Sequence, residues 1–322
     1  MDKIVWGIIG CGNVTEVKSG PAFNKVANSS LAAVMRRDKT LAQDYAQRHH
    51  VKKWYSDADE LINDRDVNAI YIATPPDSHE QYTIAAFKAG KPVYVEKPMA
   101  LNSSEALRML EASEKYSRKL SVAHYRRAQP RFLEIRRLIQ NNTLGDILSA
   151  EIRLFQAPTP GVADTWRVNP SISGGGLFHD LAPHQLDLML YFFGEPKSVK
   201  GTSSNQGKNY QADDYVTADI IFGQNVPFKG TWDYTVKPDN ELDLCEIKGT
   251  KGTLCFPIFT DGCQLTLEGQ TKDLHFLPIP HVQQPMIEQV VNYFLDKGPN
   301  PCSASEALIV MEIMDRVCGK LK

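Results

Sequence analysis

The sequence predicts an α/β protein with a doubly wound parallel sheet in its first third and a C-terminal α/β domain with a large, mainly antiparallel open sheet. In the first third, short apolar runs alternate with helical stretches, and the runs are mostly continuous, as expected for strands buried on both faces. After about residue 122, strands follow one another with Gly, Asn and Asp turns between them. We therefore expect two domains, residues 1–122 and 123–322.

The first domain is expected to alternate strands and helices in chain order. Gly90 ends one predicted helix, and Ser103 and Ser104 are the expected cap of the next. The predicted strands are 4–9, 31–35, 69–73, 93–95 and 120–123, and the predicted helices are 40–49, 77–89 and 105–116.

The second domain is expected to contain a run of strands interrupted by one long helix at 177–193. Because Pro183 lacks the N–H of a helix interior, regular helix is expected only from residues 180–182. Ser303 and Glu306 have the spacing of a capping box at the last helix. The other predicted helices are 130–140, 285–297 and 304–320, and the predicted strands are 148–155, 198–203, 216–222, 227–234, 244–248, 252–256 and 264–267.

Bulk composition excludes several classes of partner. Lys and Arg number 36 against 38 Asp and Glu, so the basic excess of a nucleic-acid-binding protein is missing. The first residues lack the pattern of a secretion signal, and no apolar run reaches the about 18 residues of a membrane span. The six cysteines are scattered without a C-x-x-C pair. We expect a cytoplasmic protein with no nucleic-acid or membrane partner.

A glycine turn follows the first predicted strand directly. Gly10 suits the tight turn, and Gly12 lets the backbone approach a pyrophosphate, while Asn13 and Val14 begin a possible helix whose N–H groups favour an anion. Thr15 stands where the dinucleotide fingerprint has its third glycine, which weakens the motif. The turn lies at the first strand–helix junction, so we predict a Rossmann domain that binds a dinucleotide.

The end of the second strand indicates which dinucleotide is bound. Arg36 and Arg37 follow the strand, and Asp38 comes only afterwards. Two guanidinium groups suit the 2′-phosphate of NADP, whereas an acidic residue at this place bonds the ribose hydroxyl of NAD. NADP is the favoured cofactor. In the alternative, the arginines are a solvated pair, Asp38 is the ribose acid, and the cofactor is NAD.

The chain resembles the Gfo/Idh/MocA oxidoreductases, the family of glucose-fructose oxidoreductase, inositol dehydrogenase and dihydrodiol dehydrogenase. The turn Gly249-Thr-Lys-Gly252 extends the similarity, so that it covers the whole chain. The matching motifs are Gly10-Cys-Gly-Asn13, Ala73-Thr-Pro-Pro76 with His79, Glu96-Lys97-Pro98, Tyr125-Arg126, Trp166-Arg167, and Gly174-Gly-Gly176 with Asp180, His184 and Asp187.

The resemblance implies a catalytic arrangement. Lys97 and His184 are expected to flank the reacting carbon, with Asp180 close by. The open sheet of the second domain is expected to form a homodimer or homotetramer. Pro183 departs from the family's usual glycine, and His179 adds a second imidazole, so the sequence leaves open which histidine faces the substrate.

These residue types suit the oxidation of a secondary alcohol. Histidine can accept or return a proton near neutrality, and an ammonium such as that of Lys97 stabilises the negative charge that develops on the substrate oxygen. Asp180 and His184 are four residues apart, on one helical face if this turn is helical, so that Asp180 can orient the imidazole or bond a substrate hydroxyl. Alternatively, Asp180 only caps the helix and His184 is a core histidine.

The resemblance also assigns binding residues. Thr74, Pro75, His79 and Glu96 are expected to bind the cofactor together with Lys97, although His79 is equally consistent with packing beneath the third strand. The expected substrate-binding residues are Lys97, Arg126, Trp166, Arg167, Asp180 and His184. No spacing of His, Cys, Asp or Glu matches a zinc motif, and no metal is expected.

Three functions remain open at this point. The favoured one is an NAD(P)-dependent dehydrogenase or reductase of a sugar, keto-sugar or cyclitol-like polyol. The second is a glycosidase of the same fold that keeps NAD bound and shows no net absorbance change at 340 nm. The third is a dinucleotide-binding regulator without catalysis, which would need neither Lys97 nor His184.

Overall fold

The computed structural model describes residues 2–321, and the chain divides into two compact units. The first unit combines the residues up to 129 with residues 278–308. The second combines residues 130–277 with the residues from 309 onwards. This division differs from the expected ranges 1–122 and 123–322, because a late segment of the chain returns to the first unit.

The first unit contains a parallel sheet whose strands alternate with helices. The strands are β1 Ile4–Ile9, β2 Ser29–Met35, β3 Lys53–Tyr55, β4 Ala69–Ile72, β5 Val93–Val95 and β6 Leu120–Val122. The helices up to residue 129 are α1 Asn13–Val17, α2 Lys39–Arg48, α3 Ala58–Ile62, α4 His79–Lys88 and α5 Ser103–Lys115, with short 3₁₀ helices at Gly20–Asn24, Pro76–Ser78 and Tyr125–Ala128.

The strand order in this sheet is β3-β2-β1-β4-β5-β6, and every pairing is parallel. The order reverses between β1 and β4, which is the topological switch point where doubly wound sheets bind ligands. Ile4, Trp6 and Ile8 of β1 are fully buried, as expected for a central strand covered on both faces. The predicted doubly wound parallel sheet is confirmed.

The second unit contains the larger sheet. Its helices among residues 130–277 are α6 Pro130–Gln140, α7 Pro170–Ser173 and α8 Leu177–Phe193, with 3₁₀ turns at Val162–Asp164, Trp166–Val168 and Pro238–Asn240. Its strands are β7 Ile147–Phe155, β8 Pro196–Ser204, β9 Tyr215–Phe222, β10 Val226–Asp233, β11 Leu242–Gly249, β12 Gly252–Phe256, β13 Gln264–Leu267 and β14 Gln270–Asp273.

Antiparallel pairing dominates this sheet, as predicted. The order is β14-β13-β12-β11-β7-β10-β9-β8, and only the β7/β10 pair is parallel among residues 130–277. In β10, buried side chains alternate with more exposed ones, so one face of the strand joins the core. Trp232 on that face donates from Nε1 to Oε1 of Gln185 in α8, at 2.6 Å.

Helix α8 corrects the expectation about Pro183. The helix is regular from Leu177 to Phe193 with Pro183 inside it, instead of beginning at 180–182. A proline in a helix interior costs about 3 kcal/mol. Thirteen of the seventeen residues of α8 are buried, and the packing of its apolar side chains outweighs that cost.

The last two helices are α9 Gln284–Phe294 and α10 Ala304–Val317. Helix α9 packs into the first unit, where the ring of Phe294 lies 5.6 Å from that of Trp6. Further along, the N–H of Val122 donates to the carbonyl of Cys302 at 3.1 Å. These contacts link residues far apart in the chain, so local sequence patterns gave no sign of them.

Several short elements were not predicted, and one cap was assigned wrongly. Strand β3 and helix α3 span only three and five residues, and β14 is exposed throughout, so none carries an apolar run. Helix α5 begins at Ser103 rather than 105, and its cap is Asn102, whose side chain accepts from the N–H of Glu105 at 3.0 Å. Among residues 2–321, no helix has both the length and the apolar character needed to cross a bilayer.

Candidate active site

The glycine turn lies against two neighbouring strand ends of the first unit. The N–H groups of Gly10 and Cys11 both donate to the carbonyl of Met35, at 2.9 and 3.1 Å. Gly10 has φ +91°, and a Cβ there would lie 2.7 Å from the backbone nitrogen of Thr74. Only glycine therefore fits at position 10, and the turn brings the ends of β1, β2 and β4 together.

A close approach of the chain occurs five residues after Thr15. Helix α1 has only five residues, and the Thr15 hydroxyl donates to the carbonyl of Gly12 at 2.8 Å. The close approach occurs at Gly20, where a Cβ would lie 2.1 Å from the Thr15 carbonyl oxygen and 2.4 Å from the Tyr45 hydroxyl. Gly20, which lies outside the fingerprint, therefore has no room for a side chain beside Thr15 and Tyr45.

The residues after β2 have different environments. Arg36 is half-buried and directly follows Met35, whose carbonyl accepts from Gly10 and Cys11. Burial raises the pKa of the Cys11 thiol to about 11, and the Arg36 charge opposes this effect. Arg37 is exposed. Asp38 caps α2, because its carboxylate accepts from the N–H of Leu41 at 3.0 Å. One oxygen of this carboxylate therefore already accepts a hydrogen bond within the protein.

His79 connects the loop after β4 with the loop after β5. Its Nε2 lies 2.8 Å from the carbonyl oxygen of Thr74, and its Nδ1 lies 3.0 Å from that of Pro98. The ring is fully buried, and burial lowers its pKa. Thr74 and Pro75 are half-buried beside it. The contacts support the packing alternative for His79, because the ring holds two loops together rather than facing solvent.

Glu96 and Lys97 follow β5 and differ in exposure. Glu96 is 6% exposed, and its carboxylate accepts hydrogen bonds within the protein from Tyr71 and Gln283. Lys97 is half-buried, and its peptide bond to Pro98 is cis. Because the Glu96 carboxylate already has protein donors, the structure shows it as part of the framework around Lys97.

Arg126 also belongs to the first unit, in the 3₁₀ turn after β6. Its side chain is buried, and the guanidinium carbon lies 5.7 Å from the centre of the Tyr125 ring. This position differs from the expected boundary at residue 122, which assigns Arg126 to the second domain.

Three predicted site residues meet in the second unit. The Arg167 side chain donates from Nε to Oδ2 of Asp180 at 3.1 Å, and its guanidinium carbon lies 4.7 Å from the centre of the Trp166 ring. Asp180 belongs to the first turn of α8, which Gly176 precedes in a left-handed conformation, with φ +87°. Arg167 and Asp180 thus form a polar cluster beside a flat indole surface.

The two histidines of α8 have separate surroundings. His179 is fully buried against Gly175, and Nζ of Lys320 lies 3.2 Å from its Nε2 while also donating to the carbonyl of Gly174. Burial, followed by the Lys320 charge, lowers the His179 pKa to about 3. His184 is 5% exposed and lies edge-on to Phe259, with ring centres 5.8 Å apart. His179 is therefore a buried side chain that packs against the glycine-rich segment 174–176.

Three residues near the predicted site were not expected from the sequence: Tyr234, Gln283 and Lys320. Burial raises the pKa of Tyr234 well above its usual value, and the charge of Asp180 adds to the effect. No motif marks these residues, because each reaches its partner only in the folded chain. Residues 2–321 contain no group of three or more His, Cys, Asp or Glu side chains arranged to hold a metal ion.

Both parts of the chain match known families. Residues 4–124 match the oxidoreductase family with an NAD-binding Rossmann fold, and residues 132–255 match the GFO/IDH/MocA C-terminal domain. The chain belongs to the Gfo/Idh/MocA oxidoreductase family. The resemblance found in the sequence is confirmed, and the chain is an NAD(P)-dependent oxidoreductase.

Curated relatives agree with this membership. The chain is 46% identical to Oxidoreductase P35 of Formosa agariphila over 321 residues, which cover 98% of this chain and 99% of that protein. It is 29% identical to the scyllo-inositol 2-dehydrogenase (NADP(+)) of Bacillus subtilis over 225 residues, or 70% of this chain and 61% of that protein.

Solved structures share the fold over nearly the full length. An aldose-aldose oxidoreductase from Caulobacter crescentus, complexed with glycerol, aligns with a TM-score of 0.86 at 22% identity, covering 98% of this chain and 96% of that one. A levoglucosan dehydrogenase in complex with NADH and levoglucosan aligns with a TM-score of 0.85 at 22% identity, covering 99% and 97%. At these identities the similarity concerns the fold.

Proposed function

We propose that this oxidoreductase transfers hydride between NADP and a secondary alcohol of a sugar, keto-sugar or cyclitol-like polyol. The observation that carries the proposal is the convergence of strand ends in the first unit. The Gly10 turn contacts Met35, directly before Arg36, and packs against Thr74, which His79 links to the loop that carries Lys97. This is the switch-point edge of the sheet, where a dinucleotide binds in this fold.

The glycine turn fits a dinucleotide sterically. A Cβ at Gly12 would meet only the Gly10 carbonyl oxygen, at 3.9 Å, so the space beside Gly12 is open. Gly10, by contrast, is packed against Thr74. We assign the pyrophosphate to the open side, next to the backbone of Gly12, Asn13 and Val14. The proposed cofactor contacts after β4 and β5 are Thr74, Pro75 and Lys97.

Three facts support NADP over NAD. Arg36 is half-buried beside the glycine turn, where a guanidinium can form charge-assisted bonds with a 2′-phosphate. Asp38, the alternative ribose ligand, caps α2. The relative from Bacillus subtilis carries NADP(+) in its name.

In the proposed mechanism Lys97 and His184 act on the reacting group. A bound nicotinamide supplies or accepts the hydride. During reduction, the Lys97 ammonium stabilises the negative charge that develops on the carbonyl oxygen, and His184 delivers the proton to that oxygen. During oxidation His184 removes the proton from the hydroxyl. Asp180, held by Arg167 at 3.1 Å, is assigned to orient a substrate hydroxyl or the imidazole.

The substrate class rests on the types of side chain available. Arg167 and Arg126 offer several donors for hydroxyl oxygens, and the Trp166 indole offers a flat face to the apolar side of a ring. Relatives of this chain include enzymes named for scyllo-inositol and for 1,5-anhydro-D-fructose, both cyclic polyhydroxy compounds.

A screen tests this proposal. Purified protein is incubated with NADP or NAD and with inositols, aldoses, levoglucosan and 1,5-anhydro-D-fructose, and absorbance at 340 nm is followed. We expect at least one compound to be turned over, and Lys97→Ala to lower kcat by about 10²-fold or more, as for the loss of a charge-stabilising group. Lys88→Ala, an exposed lysine at the end of α4, is the control. Full activity of Lys97→Ala would refute the mechanism.

The cofactor assignment has its own test. Arg36→Ala is expected to raise KM for NADP about tenfold or more, through the loss of charge-assisted bonds, and to change KM for NAD much less. Arg65→Ala, at an exposed arginine of the first unit, should change neither. If Asp38→Ala instead raises KM for NAD while Arg36→Ala has no effect on NADP, the alternative with Asp38 as ribose ligand is correct.

We further propose that the protein forms a homodimer or homotetramer through the open face of the second sheet. The neighbouring residues Thr217 and Thr231 of β9 and β10 lie on the face opposite the buried side chains and are half-buried. Light scattering after gel filtration should give a multiple of 36.0 kDa for the wild type. Thr217→Arg with Thr231→Arg should shift it towards the monomer, whereas Lys272→Glu on the exposed β14 should not. A monomeric wild type would refute the assembly.

A further inference from the structure

The carboxylate of Glu96 lies in a buried hydrogen-bond network directly beside Lys97. Tyr71 donates its hydroxyl to Oε1, and Nε2 of Gln283 donates to the same oxygen at 2.6 Å. The backbone N–H of Lys97 lies 3.2 Å from Oε2 and donates to it. Glu96 is 6% exposed, and Tyr71 and Gln283 are fully buried. Solvent therefore contributes little to the solvation of this carboxylate, and its orientation depends on these donors.

Gln283 is fixed in turn by two other contacts, and a third holds the residue before it. Its Oε1 accepts from the Tyr94 hydroxyl at 3.3 Å, so the side-chain amide has a defined orientation. Its backbone N–H donates to the carbonyl of Lys18 at 3.1 Å, one residue after the end of α1. The preceding carbonyl, of Val282, accepts from Nε2 of Gln129 at 3.2 Å.

This geometry connects two predicted parts of the site through one residue. The backbone of Gln283 holds the chain just after the glycine-turn helix, and its side chain holds the carboxylate that accepts from the Lys97 N–H. Gln283 enters the first unit from the segment 278–308, which is 187 residues from Glu96 along the chain. Gln283 is fully buried and bonded both to the Lys18 carbonyl and to the Glu96 carboxylate, so a change at Gln283 is expected to alter the support of the Lys97 loop.

We propose that Gln283 is a positioning residue for the reaction. It acts through Glu96 to hold Lys97 in a fixed position relative to the glycine turn. The inference rests on the proposed role of Lys97. Gln283 contacts neither of the predicted catalytic side chains directly, so its effect passes through the Glu96 carboxylate. Displacing a catalytic group by about 1 Å can cost about 10²-fold in rate, so a modest change in this network has a measurable effect on kcat.

The test is a double-mutant cycle on the full-length protein. With NADP and the polyol that gives the highest turnover in the screen, Gln283→Leu is expected to lower kcat about tenfold or more, to change KM for NADP less than about threefold, and to shift the pH profile of kcat. In a Glu96→Gln background the same change is expected to have much less effect on kcat, because the carboxylate through which Gln283 acts is gone.

Two further variants separate positioning from folding. Gln284→Leu lies one residue away at the start of α9, outside the network, and is expected to match the wild type. Tyr94→Phe removes only the hydroxyl that fixes the Gln283 amide and is expected to lower kcat in the same direction by a smaller factor. If Gln283→Leu fails to fold, as seen from its circular dichroism and thermal melt, Tyr94→Phe decides in its place.

The outcomes distinguish this inference from the proposed function. If Lys97→Ala is inactive but Gln283→Leu keeps the kcat and pH profile of the wild type, the positioning role is refuted while the function stands. An equal loss with and without Glu96→Gln also refutes it, because the effect then bypasses Glu96. If Lys97→Ala keeps full activity, or no polyol is turned over, the proposed function itself fails.

Discussion

At the scale of single residues, the two glycines of the turn after β1 have different physical constraints. Gly10 has a positive φ and lies against the backbone of Thr74, so its constraint comes from the protein itself. Gly12 has φ −132° and ψ −157°, in the extended region open to other residues, and free space beside it. If a pyrophosphate occupies that space, the constraint on Gly12 comes from the ligand.

Alanine substitution should separate these two constraints. Gly10→Ala is expected to lower the free energy of unfolding by about 2 kcal/mol or more, because a left-handed backbone and a 2.7 Å contact with the Thr74 nitrogen both oppose a Cβ. Gly12→Ala should stay within about 0.5 kcal/mol of the wild type but weaken NADP binding about tenfold. Urea unfolding and fluorescence titration with NADPH measure the two effects. Equal stability losses would contradict this distinction.

His179 shows how burial turns a titratable residue into a structural one. The folded protein holds its pKa at about 3, below the 6.5 of an exposed imidazole, because burial and then the Lys320 charge disfavour the imidazolium. In the unfolded chain the same ring takes up a proton below about pH 6.5. Between these two pKa values the unfolded state binds more protons, so stability falls as the pH falls.

A pH series checks this directly. Between pH 7.5 and pH 5 the wild type should lose about 2 kcal/mol of unfolding free energy through this ring, and His179→Gln should lose correspondingly less. His275→Gln, at an exposed position of the second unit, is the control and should keep the slope of the wild type. The comparison uses the slope of the unfolding free energy against pH, so it holds even if the substitution changes stability at pH 7.5. Identical slopes for His179→Gln and the wild type would show that the buried ring is not the source.

At the scale of elements, helix boundaries depend on caps, and helix α5 illustrates how local chemistry decides between neighbouring candidates. Asn102, Ser103 and Ser104 all have side chains that suit an N-cap. Asn102 has the extended backbone of a cap, with φ −158° and ψ 171°, and its side chain accepts from Glu105. Ser103 is already helical and buried.

Substitution of the competing residues tests this assignment. Asn102→Ala is expected to cost about 1 kcal/mol of unfolding free energy, the usual value of an N-cap hydrogen bond. Ser104→Ala, at an exposed helical position, is expected to stay within about 0.5 kcal/mol of the wild type. Urea denaturation followed by circular dichroism provides both values. A larger loss for Ser104→Ala would instead favour the cap predicted from the sequence, at Ser103 and Ser104.

At this scale the sequence predicted elements with apolar runs or apolar periodicity well and short polar elements poorly. The bounds of β1, β5, β12 and α6 agree with the prediction to the residue, because apolar runs or periodicity define them. The capping box at α10 is also present, since the Ser303 N–H donates to Glu306 at 3.0 Å and the Glu306 N–H donates back at 3.2 Å. Strand β3 was not predicted, because its three residues form a strand by pairing with β2 and carry no apolar run.

At the scale of the whole molecule, the first unit is built from two segments that are far apart in the chain. Helix α9 and its flanking residues complete the unit through the Trp6–Phe294 contact, the Gln283–Glu96 hydrogen bond and the Val122–Cys302 hydrogen bond. A fragment that ends at residue 122 would expose the Trp6 ring and leave the Glu96 carboxylate without one of its donors. Burial of large aromatic rings and pairing of buried polar groups both contribute strongly to stability.

Fragments should reflect this division. Residues 1–122 alone are expected to show no cooperative thermal transition, whereas residues 1–129 joined to 278–308 by a short Gly/Ser linker should melt cooperatively. A short linker is sufficient because Gln129 already contacts Val282, at 3.2 Å. Circular dichroism melts and amide chemical-shift dispersion provide the comparison. Cooperative melting of 1–122 at the same temperature as the joined fragment would contradict the division.

By itself, the sequence determined the fold class, the glycine turn and the family, because apolar periodicity and short motifs are local properties of the chain. Only the tertiary structure decided that His79 and His179 are buried, that Gly20 provides the close approach at Thr15, and that Gln283 reaches Glu96. These assignments depend on contacts between residues distant in sequence, which form only when the chain folds and which no local pattern encodes.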